Sequence, residues 1–248
     1  VTLLAVERIK LLSTRSPWWC MGLAILLSVG FSALLAWVYK PAQGPFTVES
    51  TQRGYTFGLV VIMTMAVLSI TTEYRFNTVK TLFLAVPRRS AALLAKAGVV
   101  AGLAFVIGEL VAIGSYLACL RLRPEADLRL TGGDQWRAVL GMGVVYALSA
   151  ILALAVGLLL RQTSAAVSVV LIWSLLAERL VSLVPTWGVK IQPWMPITAA
   201  DRFLTMGIGP DPKGEWLPYD PWTALAYFAG VCAALFAVSL LVANWRDA

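Results

Sequence analysis

Six stretches of this chain, residues 18–38, 55–72, 97–120, 138–160, 163–183 and 223–242, each run for roughly twenty residues and are almost free of charge. A hydrocarbon core about 30 Å thick needs about 20 successive apolar residues to be crossed as a helix, and each stretch is long enough. Backbone N–H and C=O groups in lipid find no water, so such stretches must be helices or strands of a closed barrel. Continuous rather than alternating apolarity selects helices. The sequence therefore predicts an all-α polytopic membrane protein with six transmembrane helices in a single domain. With 59% hydrophobic and 13% charged residues, the 248-residue chain carries about half the charge of a soluble domain.

Arg8, Lys10 and Arg15 precede the first run as in a secretory signal, but the run exceeds the apolar core of such a peptide. Trp18, Trp19, Trp37, Tyr39, Tyr55, Trp136, Trp222 and Trp245 flank the runs, where amphipathic rings favour the lipid–water boundary. Cys20, Cys119 and Cys232 lie in or beside apolar runs, so packing rather than a disulfide framework is expected. Six spans put both termini on one side. Lys and Arg divide evenly between the two sets of connecting segments, but those on the terminal side are denser, which favours cytoplasmic ends. The net charge of +7 then reads as topology and contact with anionic lipid, and no nucleic-acid-binding motif accompanies it.

Before the first span, residues 1–17 suit a helix lying along the membrane surface. Ala5, Val6, Ile9 and Leu12 fall on one side of a helical wheel and Glu7, Arg8, Lys10 and Arg15 on the other. Between the second and third spans, residues 73–89 form the most informative segment. Phe76, Val79, Phe83 and Val86 recur at helical spacing, with Glu73, Asn77 and Lys80 on another face. Pro87 ends that helix and Ser90 is placed to cap the next. An amphipathic helix here offers a polar face for docking, against the plainer reading of a solvated basic loop.

Gln162 leaves almost no connection between the fourth and fifth runs, which must form an antiparallel hairpin with Arg161 at its tip. The proline-rich segment 184–221 excludes another spanning helix. It is expected to form a partly re-entrant cap, with a short helix over 197–206 that turns Ile197, Ala200, Phe203 and Leu204 to one face.

The absence of histidine excludes Ser-His hydrolysis, a His-ligated haem and the usual zinc sites, and no phosphate-binding loop makes the chain an ATPase. Glu109, midway along the third run, is a functional candidate because a bare carboxylate there is costly; the alternative is a hydrogen bond to Thr64, Tyr146 or Ser149. Glu178 and Arg179 are expected to snorkel or pair with each other. Met63, Thr64 and Met65 mix flexible apolar and hydroxyl groups, as a path for apolar substrates or ordinary helix packing would. Gly98 and Gly102 allow close helix approach.

Glu73-Tyr74-Arg75, Thr78, Lys80-Thr81-Leu82, Pro87-Arg88-Arg89 and Ala95-Lys96 resemble the membrane-spanning permeases of type-2 ATP-binding-cassette exporters. The opening Glu7, Lys10-Leu11, Ser13, Arg15-Ser16 and Trp18-Trp19 is similar to that of actinobacterial members, as are Pro193-Trp194-Met195-Pro196 and the ending from Pro221-Trp222 to Arg246-Asp247-Ala248. The likeness implies that 73–89 is a coupling helix, with Glu73, Arg75, Asn77, Thr78, Lys80 and Thr81 meeting a separate ATP-binding subunit and Glu7, Lys10 and Arg15 on an adjoining connecting helix. It implies two permease subunits, identical or homologous, and two ATPases that hold ATP and Mg, with no cofactor and no catalysis on this chain. Export of an apolar or amphipathic substrate across a bacterial plasma membrane follows from the same likeness. The rivals are a proton-coupled transporter using Glu109 and a non-transporting anchor or sensor subunit.

Overall fold

The computed structural model describes residues 3–40, 45–76, 78, 89–184, 187–205 and 220–246. Among these, all regular structure is helical. The elements are α1 (Leu3–Leu12), α2 (Arg15–Val38), α3 (Val48–Thr51), α4 (Tyr55–Arg75), α5 (Arg89–Leu122), α6 (Gly133–Leu140), α7 (Met142–Leu160), α8 (Thr163–Ile172), α9 (Glu178–Ser182), α10 (Trp187–Ile191), α11 (Pro196–Thr205) and α12 (Pro221–Arg246). A wide π turn, Trp173–Ala177, joins α8 to α9, so the fifth apolar run is one helix with a bulge. Six helices are long and apolar enough to cross a membrane, one for each run read from the sequence.

The fourth span is the hub. In α7 61% of the apolar window is buried, against 22% in α2, in the fifth span and in α12, so α7 packs at the centre while those three face outward. It contacts α4, α5, α8 and α12. Without an apolar driving force between helices in lipid, close packing depends on small residues. At the α5–α7 crossing, a Cβ on Gly108 would stand 2.8 Å from the Cα of Gly143. Only two glycines let these backbones approach so closely.

Several bounds differ from expectation: α4, α5 and α12 run past the expected ends, and the fourth span begins at Met142 because residues 138–140 belong to α6. The first spanning helix starts at Arg15, because Arg15, Ser16 and Pro17 suit a first turn and Trp18 Nε1 donates to the Leu12 carbonyl across the bend. Arg89 already opens α5, so Ser90 lies inside the helix instead of capping it. At 34 residues α5 is about 51 Å long, well beyond the hydrocarbon thickness, and its first turns project past the core.

Exposed tryptophans mark two belts: Trp18, Trp19 and Trp245 at the end of the bundle bearing α1, and Trp37, Trp136, Trp187, Trp194 and Trp222 at the far end. The short helix expected over 197–206 is α11, with Ile197, Ala200, Phe203 and Leu204 buried against α12 and α6. The hairpin is also present: α7 ends at Leu160 and α8 begins at Thr163, with Arg161 in the left-handed region at φ 55°. All three cysteines are free thiols.

Candidate functional site

At the α1 end, four charged side chains from three helices close into a ring. Glu7 and Lys10 lie one turn apart on α1, Glu73 comes from the last turn of α4, and Lys96 lies two turns into α5. Lys96 Nζ lies 2.5 Å from Glu7 Oε2 and 3.0 Å from Glu73 Oε1. Lys10 pairs with Glu73 and stands 3.8 Å from the second oxygen of Glu7. Each cation therefore meets both carboxylates, and the formal charge of the ring is zero.

Glu7, Glu73 and Lys96 are only 4 to 5% exposed, so the ring replaces their hydration; Lys10 is exposed and forms its open side. A cavity of about 220 Å3 adjoins it, also bordered by Thr14, Thr72 and Thr78. Buried charges survive in so apolar a chain only when paired in this way.

The ring revises two expectations. Glu7 was placed on the solvent-facing side of the α1 wheel, yet it is buried while Leu4, Val6 and Ile9 are exposed. In lipid the apolar side of a helix needs no protein cover, so the polar side turns inward to find partners. Glu73 was expected beside Asn77 and Lys80 on a docking face, but it belongs to α4 and points into the ring.

Arg75, like Thr78, is an expected contact residue that stays exposed. Its guanidinium lies 5.6 Å from the Phe76 ring centre and lines a groove shared with Arg161, Gln162 and Ser164 of the hairpin tip. The Thr78 hydroxyl donates to the Glu73 carbonyl at 3.3 Å, tying the departing chain to the last turn of α4. Arg15 is exposed at the start of α2 and takes no part in the ring. Asn77, Lys80, Thr81, Pro87 and the amphipathic helix expected around them lie outside the described residues.

Two other carboxylates in the spans, Glu109 and Glu178, serve as internal helix caps. Glu109 accepts from the backbone N–H of Gly143 at 3.0 Å, in the first turn of α7, and not from Thr64, Tyr146 or Ser149. The Thr64 hydroxyl donates to the Val60 carbonyl and the Tyr146 hydroxyl to that of Tyr55. Met63 and Met65 are buried in the core.

Glu178, expected to snorkel, is buried instead. It accepts from the Ile197 and Thr198 N–H groups at 2.9 and 2.7 Å, from the Thr198 hydroxyl and from Trp173 Nε1. It thereby closes the N-terminus of α11, where free N–H groups and the helix dipole favour an anion. Beside it, Tyr55 donates to Asp201 Oδ1 at 3.1 Å, and loss of water around that carboxyl pushes its pKa up.

Lys96 is the member of the ring that the sequence reading did not assign to a site. Its signal was a lone cation at the margin of an apolar run, with no neighbour of opposite charge within a helical turn. No cluster of metal-ligating side chains occurs among the described residues. Comparison with protein-family models, curated proteins and solved structures gave no match.

Proposed function

We propose that the chain is the membrane-spanning permease subunit of an ATP-driven exporter, coupled to a separate ATP-binding subunit that carries ATP and Mg. The observation that carries this reading is the Glu7–Lys10–Glu73–Lys96 ring. It fastens α1 to the two helix ends that bracket residues 77–88, the segment whose sequence resembles a coupling helix. ATP can shift a conformational equilibrium only through contacts that differ between its states. A docked ATPase pressing on this segment would move α1, α4 and α5 together, because separating them exposes unpaired charge. On this reading the termini are cytoplasmic, the membrane is a bacterial plasma membrane and the substrate is apolar or amphipathic. A second permease, identical or homologous, completes the path.

Glu109 weakens the proton-coupled alternative, since its carboxylate already serves the first turn of α7. The test is to solubilise the chain from its native membrane in mild detergent and identify what accompanies it. A co-purifying ATPase with a phosphate-binding loop, whose substrate-stimulated hydrolysis falls in Arg75→Glu, is expected. A chain that moves substrate alone on an ion gradient, without ATP, would overturn the reading.

A further inference from the structure

We infer that the groove between α1 and the first half of α5 is a binding site for one anionic glycerophospholipid. The groove holds about 500 Å3, within the range of about 300 to 1,000 Å3 typical of small-ligand sites. Leu4, Arg8 and Leu12 repeat every fourth residue along one face of α1, and Gly98, Gly102 and Val106 do the same along α5. The walls are apolar, and Leu4 and Val106 are about half exposed, so the groove opens sideways to the bilayer.

Two features decide the occupant. A Cβ built on Gly102 meets nothing within 4 Å, so the floor is open along a strip where an acyl chain can lie. Arg8 supplies the charge. It is exposed, it lines the groove, and among the described residues it has no hydrogen-bond or ion-pair partner.

The neighbouring charges are committed elsewhere: Glu7 and Lys10 both belong to the ring. Arg8 thus presents a guanidinium to the headgroup region with no carboxylate to neutralise it, and its fork matches a phosphate oxygen pair. A zwitterionic headgroup would bring a second cation to a place that offers it no partner. The occupant is therefore a lipid of net negative charge, with one tail in the groove and its phosphate on Arg8. This inference does not depend on the transport reading.

Native mass spectrometry of the purified full chain, delipidated and titrated separately with phosphatidylglycerol and phosphatidylcholine, tests it. The wild type should retain one phosphatidylglycerol per chain with a preference on the order of tenfold over phosphatidylcholine. Arg8→Gln should abolish that preference and Arg8→Lys should keep most of it. Gly102→Leu should displace the tail and weaken retention by about tenfold, while Gly22→Leu, an open glycine on α2, should change nothing. Equal retention of the two lipids by the wild type, or wild-type retention of phosphatidylglycerol in both Arg8→Gln and Gly102→Leu, would overturn the assignment.

Discussion

Lys96 Nζ lies 2.5 Å from Glu7 Oε2 across 89 residues of sequence, and both side chains are buried. Removing one partner of a buried ion pair strands the other, at a cost of about 3–5 kcal/mol. Lys96→Met should therefore lower the thermal unfolding midpoint in detergent substantially. Adding Glu7→Gln should restore part of the loss, with a coupling of about 0.5–3 kcal/mol between the two changes. Strict additivity would mean that the pair does not interact.

Glu178 should be needed for the order of the far-end cap. Glu178→Gln keeps the shape but replaces one acceptor oxygen with a donor, facing N–H groups that already donate. A loss of about 1–3 kcal/mol at this terminus is expected. Hydrogen exchange at Ile197 and Thr198 should accelerate on the order of tenfold or more, while that of α7 stays unchanged.

Gly58 and Gly30 make a paired test of helix approach. A Cβ on Gly58 would stand 2.6 Å from the Tyr146 hydroxyl and 2.9 Å from the Ala24 carbonyl, so α2, α4 and α7 would all have to shift. Gly58→Ala should destabilise by about 1–3 kcal/mol. Nothing lies within 4 Å of a Cβ on Gly30, and Gly30→Ala should be neutral or stabilise by up to about 1 kcal/mol through helix propensity. Equal midpoints for the two variants would contradict the packing.

Asp201 gives the far end a pH dependence. Loss of surrounding water raises its carboxyl pKa above the ordinary value, more than the Tyr55 hydrogen bond and the Arg179 charge lower it. A carboxyl raised in the folded state contributes stability that is complete below its unfolded pKa, about 4, and lost as the pH climbs through the folded value. Wild type should therefore lose stability relative to Asp201→Asn as the pH rises from about 4. A difference between them that stays flat with pH would refute this origin.

The spans, the α7–α8 hairpin and α11 were legible because each is a local pattern: an uncharged run, a missing linker, an apolar face between prolines. The buried ring was not. Its members are far apart in sequence, and the wheel of a helix on the membrane surface leaves open whether its polar side meets water or protein. Glu7 turns in because Lys96 and Lys10 neutralise it there. Glu178 was misread for a related reason. Its position near a span end suggested a route to water, and its actual partners, the free amides of α11, exist only once the cap folds back.

The wide turn Trp173–Ala177 has a consequence for chain length. A π turn accommodates one residue more than an α turn without changing the faces on either side, so the fifth span holds one residue beyond what its geometry requires. Trp173 and Glu178, five apart, are brought together by that widening. Deleting Leu175 would leave them four apart in a plain α-helix, again on one face. The span is thus tolerant of losing a residue here, while a deletion in α7 would rotate the central helix out of register with every neighbour.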